Sequence, residues 1–64
     1  MTTLKNICLE YTDDVVCDDN QIHAMVNKKY SEDLQFKLEG KGCKLISVSK
    51  RYFLYLMTFS IPSY

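Results

Sequence analysis

The side chains in this 64-residue chain with the most chemical reach are three cysteines and one histidine: Cys8, Cys17, Cys43 and His23. Thiolates and imidazoles are the ligands of tetrahedral zinc. Such sites usually draw their ligands in close pairs, and the chain has neither Cys-x-x-Cys nor His-x-x-x-His. The spacing therefore points to separate thiols packed as small apolar groups, not to a metal. A nucleophile would need a base beside it. His23 is the single candidate base, and with Asp18 and Asp19 upstream it reads as a partly exposed residue near a helix start. Asp13/Asp14 and Asp18/Asp19 are paired carboxylates, but they stand in polar turns where nothing raises a pKa toward neutrality. The calcium-loop spacing and its glycine are absent, and Gly40-x-Gly42 alone does not make a phosphate cradle. A chain this short has little room for a substrate pocket. We expect no catalytic residue, no cofactor and no metal.

Two binding chemistries remain. Lys41, Lys44, Lys50 and Arg51 flank a run carrying Tyr52, Phe53, Tyr55 and Phe59. Cations beside aromatic faces are how single-stranded nucleic acids are gripped, which makes Lys41, Lys44, Lys50, Arg51, Tyr52 and Tyr55 one candidate surface. Against it, the chain is formally neutral with a pI near 6.5, whereas dedicated nucleic-acid binders are strongly basic. Residues 1–20 hold one base and five acids, for −4; residues 21–64 hold seven bases and three acids, for +4. Such a dipolar chain can steer a charged partner or a second copy of itself.

Leu4–Tyr11 alternates Ile7, Leu9 and Tyr11 with Cys8, Glu10 and Thr12, a strand pattern. Thr12-Asp13-Asp14 is a turn, and Val15–Cys17 a short returning strand. Asp18, Asp19 or Asn20 suits a helix N-cap. The helix would follow with Ile22, Met25, Val26 and Tyr30 on one face, bend near Tyr30–Ser31, and reach Glu39. Gly40 would end it in the left-handed conformation. For residues 31–39 a strand is the rival, since Leu34, Phe36 and Leu38 also alternate. Cys43–Ser49 and Tyr52–Ile61 read as strands joined by a turn at Ser49-Lys50-Arg51, with Pro62 stopping the last.

The composition, 47% hydrophobic and 25% charged, is that of a folding chain, and the length allows one domain. The expected fold is α+β: a small antiparallel sheet of three to four strands with one helical segment on one face, in the order β-(β)-α-β-β. An odd number of unpaired cysteines, and a longest apolar run (Tyr52–Met57) far below the roughly 20 residues of a spanning helix, place it in the cytoplasm and off the membrane.

One helical layer covers one face of a sheet, while the last strand is apolar on both. The second face should therefore seek a partner. Our first expectation is a non-enzymatic protein-binding module, an adaptor, regulator or inhibitor that also forms a homodimer. Its contacts are expected at Arg51, Tyr52, Leu54 and Tyr55, with Asp13 and Asp14 as the acidic complement. Small motif-free proteins with an acidic half resemble in style phage and mobile-element products that disable host proteins. The alternative is the nucleic-acid surface above.

Overall fold

The computed structural model describes residues 2–62, with side chains from Leu4 onward. Its elements in chain order are α1 (Thr2–Leu9), β1 (Val15–Cys17), β2 (Gln21–Asn27), α2 (Lys28–Glu39), β3 (Lys44–Arg51) and β4 (Leu54–Ser60). The four strands form one antiparallel sheet in the order β1-β2-β4-β3. The α+β class and the antiparallel sheet are as the sequence predicts. The segment expected as the first strand is instead a helix, and the front of the expected helix is a strand, so two helices accompany the sheet.

Two segments differ from expectation, each for a readable reason. Leu4–Tyr11 is not a strand: residues up to Leu9 are helical, and Leu4, Ile7, Cys8 and Tyr11 fall at i, i+3, i+4 and i+7. Cys8, which the alternating pattern assigns to the wetter side, is fully buried, while Leu9 is exposed. Residues 21–27 are not the first turns of a helix either. Ile22, Ala24 and Val26 are buried and Gln21, His23, Met25 and Asn27 only half so, the period-two signature of a strand. Neither Asp18, Asp19 nor Asn20 caps a helix; they form the β1–β2 connection.

The helix N-cap is Asn27, whose side-chain oxygen accepts from the Lys29 N–H at 3.1 Å. The break expected at Tyr30–Ser31 is thus the strand-to-helix junction three residues earlier, and 31–39 is helix. At its other end Gly40 keeps a right-handed φ of −64°. Gly42, at φ 93°, is the left-handed residue. Cys43 N–H donates to Leu38 O and Gly42 N–H to Glu39 O, each at 3.0 Å, closing the helix as a Schellman motif with buried Leu38 and Cys43 in contact range of its two ends.

Both helices lie on the same side of the sheet. Leu34 and Leu38 of α2 and Cys8 of α1 meet Ile22, Ala24, Val26, Met57 and Phe59 in one core. Tyr11 and Tyr30 rings 5.7 Å apart, and a Lys37–Glu10 pair at 3.1 Å, tie α1 to one flank of α2. Among the described residues no helix is long and apolar enough to cross a membrane.

Candidate functional site

The β3–β4 turn is where exposed side chains with binding chemistry concentrate. The register pairs Arg51 with Leu54, so the turn is the two residues Tyr52-Phe53, and Ser49, Lys50 and Arg51 belong to β3. The expected turn at Ser49-Lys50-Arg51 therefore lies two to three residues early. Two-residue hairpin loops favour glycine where φ is positive. Tyr52 instead occupies φ 55° and is 96% exposed, a bulky aromatic held in a region such residues avoid. Phe53 is 67% exposed and Leu54 45%.

The start of α2 is fastened to this turn. Lys28 N–H donates to Phe53 O at 2.7 Å, and its ammonium stands 5.8 Å from the Phe53 ring centroid. Lys50 lies 5.4 Å over Tyr55 and Lys29 5.0 Å over Tyr30. Exposed cation–π contacts of this kind contribute about 0.5–1 kcal/mol each, enough to orient the ammoniums. Lys28, Lys29, Lys50 and Arg51 thus gather at one end of the molecule. Beside them a groove of about 550 Å³ runs between α2 and the β3–β4 hairpin, floored by Val48, Tyr55 and Met57, with Glu32 on its wall. Lys28 and Lys29 were not legible as site residues, because a sequence pattern does not show that a helix starts against a hairpin turn.

The candidate residues divide among three places. Arg51, Tyr52 and Leu54 stand together at the turn, but Tyr55 faces the groove on the helical side whereas Leu54 faces the open side. Asp13 and Asp14 are on the approach to β1, three strand spacings or about 14 Å from β3. Their loop is built locally: the Thr12 hydroxyl donates to Met25 O at 2.6 Å and accepts from Asp14 N–H at 3.1 Å. Lys41 precedes β3, and Lys44 opens it, six positions or roughly 20 Å from Lys50. The structure joins Lys50, Arg51, Tyr52 and Tyr55 and leaves Lys41 and Lys44 at the opposite end.

The groups with catalytic or metal chemistry are spread across the sheet. Cys8 and Cys43 are buried on the helical side and Cys17 is exposed; all three thiols are free. Burial, reinforced by the neighbouring Cys17 and Cys43 thiols, pushes the Cys8 thiol up to about 11, and burial raises Cys43 as well. Both therefore stay protonated and unreactive at neutral pH. His23 is on the other face, its Nδ1 3.1 Å from Thr58 Oγ1 and its Nε2 3.5 Å from Asp18. That chain has the outline of a base between a hydroxyl and a carboxylate, set on a flat strand surface without enclosing walls.

The open face of the sheet carries Val16 of β1, His23 and Met25 of β2, Leu54, Leu56 and Thr58 of β4, and Ser47 and Ser49 of β3. Apart from His23, its middle is apolar and hydroxylic with no Phe or Tyr, and the register sets Lys44 and Arg51 at the two ends of β3 on the same face. No family model, no curated protein and no solved structure matches the chain.

Proposed function

We propose that this chain is a non-enzymatic protein-binding module of the regulator or inhibitor kind, working in a reducing compartment and self-associating through the open face of its sheet. The observation that carries the reading is that both helices lie on one side, leaving Val16, Met25, Leu54 and Leu56 without a second layer and continuous with the exposed Tyr52-Phe53 turn. Apolar surface of this sort marks interaction sites. The middle of the face is neutral, so two copies meet there without like-charge cost. The strained Tyr52 supports the same reading, since a folding role alone would favour glycine at that position.

The nucleic-acid reading gains Lys28 and Lys29 but lacks its platform. Bases stack on aromatics displayed by an open sheet, and here Tyr55 and Phe59 are on the helical side.

Sedimentation velocity tests the proposal directly. The wild-type chain is expected to dimerise, and the Leu54→Ser/Leu56→Ser variant to be a folded monomer. A tagged chain should also retain a near-stoichiometric protein from cell lysate after nuclease treatment. A wild-type monomer, or partners that vanish with nuclease, would overturn it.

A further inference from the structure

The two edges of the sheet are unequal. β1 is three residues long, whereas β3 has eight and is paired on one side only, with β4. An open edge of that length is a template for another strand. Its sequence restricts which strand. β3 carries Lys44, Lys50 and Arg51 and no acid, and Lys28 and Lys29 flank the Lys50–Arg51 end. A second β3 laid antiparallel would set Lys44 against Lys50 or Arg51, and laid parallel would set each cation beside its own copy. Like charges opposite one another destabilise a sheet, so this edge repels its own kind and favours an acidic strand.

The groove supplies the second condition. The turn that follows α1 occupies one flank of α2 through Tyr11 and Glu10, and the groove lies between α2 and the Val48–Lys50 part of β3. A strand added beside β3 would send every second side chain to the helical side of the sheet, into this groove. The ladder also says where. A bulge between Leu45 and Ser47 interrupts the far half of β3, leaving Ser47–Arg51 regular. In a two-residue hairpin the closing pair, Arg51 with Leu54, is hydrogen-bonded, and pairs then alternate. By that alternation Val48 and Lys50 turn their N–H and C=O groups toward the free edge.

We infer that the Ser47–Arg51 edge of β3 and the adjoining groove receive an acidic, extended segment of a partner protein by strand addition. Its carboxylates, carried on the side chains sent to the helical side, meet Lys28, Lys29 and Lys50 in the groove, and its intervening apolar side chains lie on the open side beside Ser47, Ser49 and Arg51. The inference rests on the protein-binding reading and names the partner's chemistry at a surface separate from the open face.

The test is a titration of isotope-labelled protein, followed by amide NMR, with a peptide of alternating valine and glutamate matching the eight residues of β3. Three control probes are a valine–lysine peptide, a valine–glutamate peptide interrupted by proline, and oligothymidylate. Shifts are expected at Ser47–Arg51 and along Lys28–Gln35, with slowed exchange at the Val48 and Lys50 amides. Lys50→Glu with Arg51→Glu should weaken binding about tenfold or more. The proline and lysine peptides should not bind. Absence of binding at millimolar peptide, equal binding by the proline peptide, or shifts centred on Met25 and Leu56 would overturn the inference. So would oligothymidylate occupying these residues in place of the peptide. If the peptide fails while a nuclease-resistant protein partner is still lost on Leu54→Ser/Leu56→Ser, strand addition falls alone. If the peptide fails and no protein partner is retained, both readings fall.

Discussion

The two faces of one sheet share every backbone hydrogen bond and differ in almost everything else. On the helical side Ile22, Ala24, Val26, Met57 and Phe59 are sealed from solvent. One residue along each strand, Gln21, His23, Met25 and Asn27 of β2 and Leu54, Leu56, Thr58 and Ser60 of β4 stay at least partly wet. The pleat alone makes that division, and the helices decide which side becomes core. Stability should therefore reside on one face and recognition on the other. The largest expected effect tests the first half. Phe59→Ala should cost about 3–5 kcal/mol, because the lost transfer energy is joined by that of the cavity left behind. A domain of this length has roughly 3–10 kcal/mol in all, so the variant should be largely unfolded by circular dichroism. Leu56→Ala, across the pleat, should shift a urea midpoint by about 1 kcal/mol or less in the monomer. Equal losses would mean that the open face is also core.

A second, smaller effect sharpens the same contrast through the thiols. Cys8 and Cys43 belong to the sealed side and Cys17 to the exposed edge. Burial first, and the other two thiols next, raise Cys8 from an ordinary 9.0 to about 11. The unfolded thiol thus ionises before the folded one, so above the ordinary value the native state binds more protons. The stabilisation is whole below pH 9.0 and is lost as the pH climbs toward about 11. Urea titrations across that window should show a falling midpoint. At neutral pH a thiol reagent should modify Cys17 well before the other two; one common rate would show that the sealed face opens freely.

How far the sequence disclosed this division follows from how each pattern arises. β3, β4 and most of α2 were legible, because their apolar residues are large and their periods unmixed. β2 was not, because its buried set includes Ala24, too small to signal, while Met25 on the open face completes a false helical stripe with Ile22 and Val26. α1 was hidden by Leu9, an exposed apolar residue that made Ile7, Leu9 and Tyr11 look alternate. The site suffered more than the fold. Arg51, Tyr52 and Leu54 are close in sequence and could be grouped from it. Lys28 and Lys29 join them only because β2 pairs with β4, which sets the start of α2 beside the β3–β4 turn. Asp13 and Asp14, by contrast, are separated from Arg51 by a strand order that local patterning does not encode.

The smallest expected effect asks which face the turn itself serves. Tyr52 sits at φ 55° with its ring almost wholly in solvent, so its side chain contributes little packing and its backbone is strained. Placing a non-glycine residue in that region costs on the order of 1–2 kcal/mol, and glycine returns part of this as added freedom in the unfolded chain. Tyr52→Gly should therefore raise the stability of the monomer by about 0.5 kcal/mol, read as a higher urea midpoint with an unchanged slope. If the tyrosine belongs to recognition, the same variant should lose partner capture while gaining stability, the exchange common where function has kept a strained residue. A variant that loses stability would instead tie the turn to the sealed face, and would remove Tyr52 from the binding surface.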